Sequence, residues 1–155
     1  MKKYIIDDLY RYVGNDCNKL KIQLRYLLFT PGFRWQYFFR HASNAKNKAT
    51  KLLWHILLRH SSKRTGIQIP LGTKIGRGMK IGHWGTIVIN PGTIIGINFN
   101  IAQGCLVGNS QGKHAGTPII ENNVVMGANS IIVGGGAYWE QCFDCSWVFC
   151  KFRCA

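Results

Sequence analysis

The chain is poor in acidic residues, with six Asp and Glu against twenty Lys and Arg in 155 residues, a formal charge of +14. It also lacks a long apolar run. Stretches such as Tyr26-Leu27-Leu28-Phe29 stop far short of the ~18 to 20 residues that a membrane span needs. The N-terminus, Met-Lys-Lys-Tyr-Ile-Ile-Asp-Asp, has no uncharged apolar segment behind it and does not read as a secretory leader. The six cysteines are therefore expected in a reducing, cytoplasmic setting, not as a disulfide framework. There is no RNP sequence, no zinc finger and no basic arm leading into heptads, so nucleic acid is not an expected partner. Hydrophobic residues make up 46% of the chain, enough for a core and too many for global disorder.

The charge is unevenly placed. Residues 1–65 hold fourteen Lys and Arg against three Asp, a net of +11, and the rest hold six against three, a net of +3. A basic face of that size suits an anionic membrane surface or the phosphates of a cofactor, or is simply a solvated helical surface. Residues 1–65 read as helices. Asn15-Asp16 is placed to cap a segment carrying Leu20, Leu24, Leu27 and Leu28 at helical spacing. Pro31-Gly32 breaks it and starts an aromatic, basic stretch from Phe33 to Arg40. A third helix is expected from about Thr50, ending before Gly66.

After Gly66 branched aliphatics, Gly and Asn take over. Large aliphatics fall at Ile69, Ile75, Ile81, Ile87, Ile95, Ile101, Val107, Ile120, Met126 and Ile132, in steps of 6, 6, 6, 8, 6, 6, 13, 6 and 6. A period of six is neither helical nor a strand alternation. It suits a solenoid of short flat strands with tight corners, each repeat sending one aliphatic inward onto its neighbours. Gly and Asn supply corner conformations that other residues resist. The steps of 8, between Ile87 and Ile95, and of 13 mark loops pushed out of the coil, where function tends to sit. The expected fold is mainly β, a parallel β-helix solenoid behind an α-helical region, with residues 1–65 helical and 66–135 in the coil.

This repeat, with His83 beside the first interruption, resembles the left-handed β-helix acyltransferases of the hexapeptide-repeat family, and within them most resembles the serine acetyltransferases. The matching run is Lys74-Ile75-Gly76-Arg77-Gly78, then Ile81-Gly82-His83-Trp84-Gly85-Thr86-Ile87-Val88, Ile101 to Gly108, and Met126-Gly127-Ala128-Asn129. The resemblance implies a homotrimer with sites between neighbouring coils, acetyl-CoA as co-substrate without a metal, and acetyl transfer to a hydroxyl. For a serine acetyltransferase that reaction makes O-acetylserine and CoA from L-serine, a step of cysteine biosynthesis. His83 matches the general base, a role that suits an imidazole near neutral pH. Gly108, Gly127 and Ala128 match positions along the CoA site. The extruded loop resembles one carrying a second substrate-facing histidine; Thr117 falls at that position and His114 three residues earlier. His41, His55 and His60 read as surface or packing residues.

There are departures. Serine acetyltransferases carry an Asp where this chain has Gly82, and another, paired with the histidine, where it has Gln68. Gln68 is then expected near the acceptor as a neutral hydrogen-bonding group. A sugar or surface-polysaccharide hydroxyl is the alternative acceptor, and the basic, aromatic helices suit an anionic glycan or peripheral membrane contact. A reading of another class is a non-catalytic solenoid that binds partners, for which His83 would be dispensable.

Past Gly134 the period collapses into a segment with Cys142, Cys145, Cys150 and Cys154. Their spacing invites zinc. Reading the DNA one base further along from the Gly136 codon, however, permits a string that restores the six-residue phase, and in that frame the single-codon Trp139 and Trp147 each become a glycine where the repeat expects one. Residues 136–155 therefore read as a frameshifted tail, its cysteines an accident of frame. The missing coils would leave the CoA groove open and impair the enzyme.

Overall fold

In the computed structural model, the structure describes residues 2–111 and 115–138. Four helices come first: α1 (Lys2–Val13), α2 (Leu20–Phe29), α3 (Pro31–Asn44) and α4 (Lys48–Thr65). Pro31 opens α3, as expected of a residue with no N–H to lose in the first turn. Asn47 caps α4 by accepting from Ala49 N at 2.9 Å, and Gly66 ends it at φ 71° with its N–H on Ser62 O. The cap expected at Asn15-Asp16 is not there. Gly14 turns at φ 64° after α1, Asn15 and Asp16 fall within a 3₁₀ turn (Gly14–Asn18), and α2 starts after Lys19 without a side-chain cap.

Eleven strands of two or three residues follow: β1 (Ile67–Gln68), β2 (Lys74–Ile75), β3 (Lys80–Ile81), β4 (Ile87–Ile89), β5 (Ile94–Ile95), β6 (Asn100–Ile101), β7 (Leu106–Gly108), β8 (Pro118–Ile120), β9 (Val125–Met126), β10 (Ile131–Val133) and β11 (Gly136–Tyr138). They form three parallel sheets in the orders β1-β4-β7-β10, β2-β5-β8-β11 and β3-β6-β9. Every third strand stacks on the one a coil earlier, so the chain winds as a three-sided parallel β-helix. β11 pairs with β8 through Tyr138, so the coil runs past the boundary expected at residue 135. Residues 139–155, with the four tail cysteines, lie outside the described residues, as does His114.

The six-residue phase is the core. Ile69, Ile81, Ile87, Ile95, Ile101, Val107, Ile120, Met126 and Ile132 are all buried in one cluster. Ile75, on the edge strand β2, only packs against it. The register moves one interruption. Ile81 pairs with Ile101 and Ile89 with Val107, so the step of eight lies between Ile81 and Ile89. Ile87 and Ile89 both point inward on β4, and counting along the sequence could not tell which holds the phase. The two extra residues therefore swell the corner that contains His83. Asn98 and Asn123 turn stacked corners at φ 58° and 61°, and their side chains hydrogen-bond each other at 2.9 Å.

The helices close the open edge of the first coil. The Asp8 carboxylate of α1 accepts from Met79 N at 2.9 Å and from the Arg40 guanidinium at 2.8 and 3.1 Å. Arg40 also donates to Ile75 O at 2.7 Å and Gly76 O at 2.6 Å. The Tyr12 hydroxyl accepts from Ile81 N and donates to Gln36, whose amide in turn donates to Met79 O. Asp8 and Arg40 are both buried, and burial pushes the Asp8 carboxyl above its ordinary value against the lowering by Arg40 and by the Met79 and Gly78 backbones. Asp8→Asn is expected to lower stability by about 3–5 kcal/mol, since it strands a buried guanidinium. Urea unfolding checks this, and Asp8→Asn with an unchanged midpoint would refute it.

Candidate functional site

The corners between the β3-β6-β9 and β1-β4-β7-β10 sheets stack along one edge of the coil. Gly82 N bonds to Ile101 O and Gly104 N to Gly85 O, each at 2.9 Å; Ala102 N bonds to Met126 O at 3.2 Å and Asn129 N to Gln103 O at 2.9 Å. His83, Gln103, Gly127 and Ala128 are thereby aligned on this edge. His83 and Trp84 are exposed at its first corner, which is also the longest. The turn there is strained: Gly85 lies at φ 131° and Thr86, a β-branched residue, at φ 48°. Such a conformation costs about 1–3 kcal/mol and survives only where the surroundings enforce it. Here α4 does so, because Gly66 at its end packs so close that a Cβ would sit 2.8 Å from Thr86 N.

Gln68 lies two residues beyond that junction, exposed on the outer face of β1. The outer face it belongs to is one wall of a groove of about 570 Å³, with Val88, Asn90, Leu106 and Gly108; the other wall is α4, with His55, Leu58, Arg59 and Ser62. Gly108 has no side chain, so a ligand can lie against its backbone. The structure thus divides the residues singled out in the sequence. Gln68 and Gly108 share the groove; His83, Gly127 and Ala128 share the edge; and no hydrogen bond joins Gln68 to His83 among the described residues. Thr117 lies at the next edge, where its hydroxyl donates to Gly92 O at 3.1 Å. The extruded loop leading to it is closed by Ser110 and Gly116, which exchange backbone hydrogen bonds.

Other groups are structural. His41 stacks on Trp54 and meets Tyr37 at a tilt, with ring centroids 4.3 and 4.4 Å away, and burial pulls its pKa down. Cys105 lies under the His83 edge with its thiol 3.0 Å from Gly127 O, and burial pushes it up, away from the thiolate a nucleophile requires. Among the described residues no three His, Cys, Asp or Glu side chains cluster as a metal site. Sequence reasoning missed three things. Gln103 has a side-chain oxygen that is buried without a partner, and its Cβ lies beneath Gly85. His55 and Arg59 line the groove, and only their four-residue spacing on the helix that leads into the coil hinted at a shared face.

No protein-family profile matches the sequence. The chain is 33% identical over 113 residues to a serine acetyltransferase of Synechococcus elongatus, covering 72% of this chain and 46% of that protein. It is 38% identical over 69 residues to a putative colanic acid biosynthesis acetyltransferase of Escherichia coli K12, covering 44% and 43%. The chain therefore spans about half the length of these curated relatives, 46% and 43%. The solved structure of serine acetyltransferase in complex with coenzyme A from Brucella abortus superposes with a TM-score of 0.64 at 22% identity, over 86% of this chain and 53% of that one. That likeness gives the coil its left hand. On its repeat, its coil and these relatives, the chain belongs to the hexapeptide-repeat acyltransferases of the left-handed β-helix type, alongside the serine acetyltransferases.

Proposed function

We propose that the chain transfers an acetyl group from acetyl-CoA to a hydroxyl, with His83 as general base. The observation that carries this reading is the His83 corner: two extra residues and a strained Thr86 set one imidazole outside the regular stack of that edge. An alcohol is a poor nucleophile at neutral pH. An imidazole within hydrogen-bond reach takes its proton as the oxygen attacks the thioester carbonyl. The tetrahedral intermediate then expels the CoA sulfur, and the imidazolium returns the proton to it. Acetyl-CoA would run along the edge that holds Gly127 and Ala128 and end on the Gly108 backbone. The relatives offer two acceptor classes, serine and the hydroxyl of a polysaccharide sugar. His114, Thr117 and Gln68 are the candidates for acceptor contact.

A homotrimer fits the outer face of the β2-β5-β8-β11 sheet, where Ile94 and Ile119 pair in register and are both exposed, a flat apolar strip suited to another coil. The proposed setting is the cytoplasm, where free buried thiols such as Cys17 and Cys105 stay reduced. No described helix is long and apolar enough to cross a membrane. α2 instead fits a peripheral contact. Leu20, Leu24 and Leu28 form an exposed stripe at four-residue spacing, Phe29 beside them is 78% exposed, and Lys21 and Arg25 flank it with no acid on the helix.

Release of CoA thiol from acetyl-CoA, assayed with L-serine and with a panel of sugars, is expected to require His83. His83→Ala should lower the rate by about 10²–10⁴-fold with an unchanged melting temperature. An equal rate in His83→Ala would rule out the base assigned here. The α2 stripe is expected to carry the protein onto vesicles containing phosphatidylserine but not onto neutral ones, and Leu24→Ser with Leu28→Ser should abolish sedimentation. Equal sedimentation with neutral vesicles would reject the charge-assisted contact.

A further inference from the structure

Among the described residues, the groove between α4 and the coil is lined by positive charge and no negative charge. Arg59 and His55 stand four residues apart on α4 and line one wall. Opposite them the wall is apolar, at Val88 and Leu106, or neutral and polar, at Gln68 and Asn90. Among the described residues no Asp or Glu lines the groove. Arg59, His55 and Gln68 make no side-chain hydrogen bond or ion pair among the described residues, whereas the Asn90 side chain is engaged by Gly92 N at 2.9 Å. The polar groups left free are thus a guanidinium, an imidazole and an amide around one concave, largely apolar surface. A guanidinium presents a planar fork of donors that matches a carboxylate or a phosphate. Beside an apolar groove wall and with no counter-charge among the described residues, it attracts anions.

We infer that this groove binds the hydroxyl-bearing acceptor through an acidic group, with Arg59 holding the anion and His55 and Gln68 adding hydrogen bonds; the acceptor is then an acidic sugar, carrying a carboxylate or a phosphate. This rests on the acetyl-transfer reading and narrows its acceptor. A free amino acid would bring a carboxylate to Arg59 but also an ammonium group, for which the described lining of the groove offers no carboxylate. The charge argues against a neutral sugar, for which an unpaired arginine in the groove has no use. The volume of about 570 Å³ falls within the ~300–1,000 Å³ usual for ligand pockets. The same helix, α4, forms one groove wall and ends under the strained His83 corner.

Equilibrium binding read by NMR, without turnover, separates this inference from the reaction itself. The full chain is titrated with D-glucuronate, glucose 6-phosphate and D-glucose at fixed ionic strength, and in parallel with acetyl-CoA. At least one of the two acidic sugars is expected to bind about tenfold more tightly than glucose. Whichever it is names the anion. Arg59→Ala should bring that preference to within about twofold, Arg59→Lys should restore part of it, and Lys63→Ala, on the same helix but outside the groove, should leave it intact. Equal binding of all three sugars, or a preference that survives in Arg59→Ala, overturns the inference. So does a loss confined to acetyl-CoA, which would assign Arg59 to the phosphates of CoA instead. His83→Ala should keep the full preference. A protein that selects the acidic sugar but transfers no acetyl group would therefore sink the transfer reading and leave the groove assignment standing.

Discussion

The first coil of a β-helix has a bare edge, and the structure depends on how that edge is satisfied. β2 and β3 have no strand beneath them, so their outward carbonyls and N–H groups would otherwise lie buried and unpaired or offer a template for another chain. Asp8, Tyr12, Gln36 and Arg40 take up those groups one by one, at Ile75, Gly76, Met79 and Ile81. Arg40 and Asp8 could not be buried separately, because each needs the other's charge. The four side chains come from two helices, so the edge is sealed only when α1 and α3 are docked together. Helical region and coil are therefore one folding unit, although their compositions differ sharply.

That docking propagates to the site. With α3 fixed on the coil edge, α4 packs along α3 and ends at Gly66, directly under the corner at Gly85 and Thr86. A corner two residues longer than those above it would relax if it stood alone. Pressed against α4, it is held at positive φ with His83 outside the regular stack. The same helix supplies one wall of the groove. One rigid element thus places the candidate base and bounds the candidate acceptor pocket, which loops alone do less accurately.

The coil was legible in the sequence because its determinant is periodic: one inward aliphatic every six residues, with Gly or Asn where the backbone must turn left-handed. What escaped depends on relations that no period encodes. Whether Ile87 or Ile89 keeps the phase is settled by pairing with Val107, a partner eighteen residues from Ile89. The cap at Asn15-Asp16 failed because Gly14 had already turned the chain into a 3₁₀ segment. His83 was found through its place beside an interruption and through resemblance. His55 and Arg59 were not, because on a helix with basic residues throughout nothing local marks the two that face the coil. Nor could sequence show that Gln68 and His83, fifteen residues apart, form no hydrogen bond with each other.

The basic excess of the first 65 residues illustrates why composition alone could not name a partner. Its charges fall into environments where the same guanidinium or ammonium has different consequences. Arg40 is buried and bonded to a carboxylate and two carbonyls, so its charge is spent on specifying how the helices dock. Lys21 and Arg25 stand in water beside an apolar stripe, where salt screens them beyond about 10 Å and they act only on a surface brought close. Arg59 is exposed like Lys21 and Arg25, but it stands on the wall of a concave, largely apolar groove. Only a charge set in a shaped groove discriminates among small acceptors. A buried charge already has its partner, and one on an open helix face attracts every anion alike. The selectivity of this chain is therefore to be sought at one arginine on α4, and the net charge of +14 is a poor guide to it.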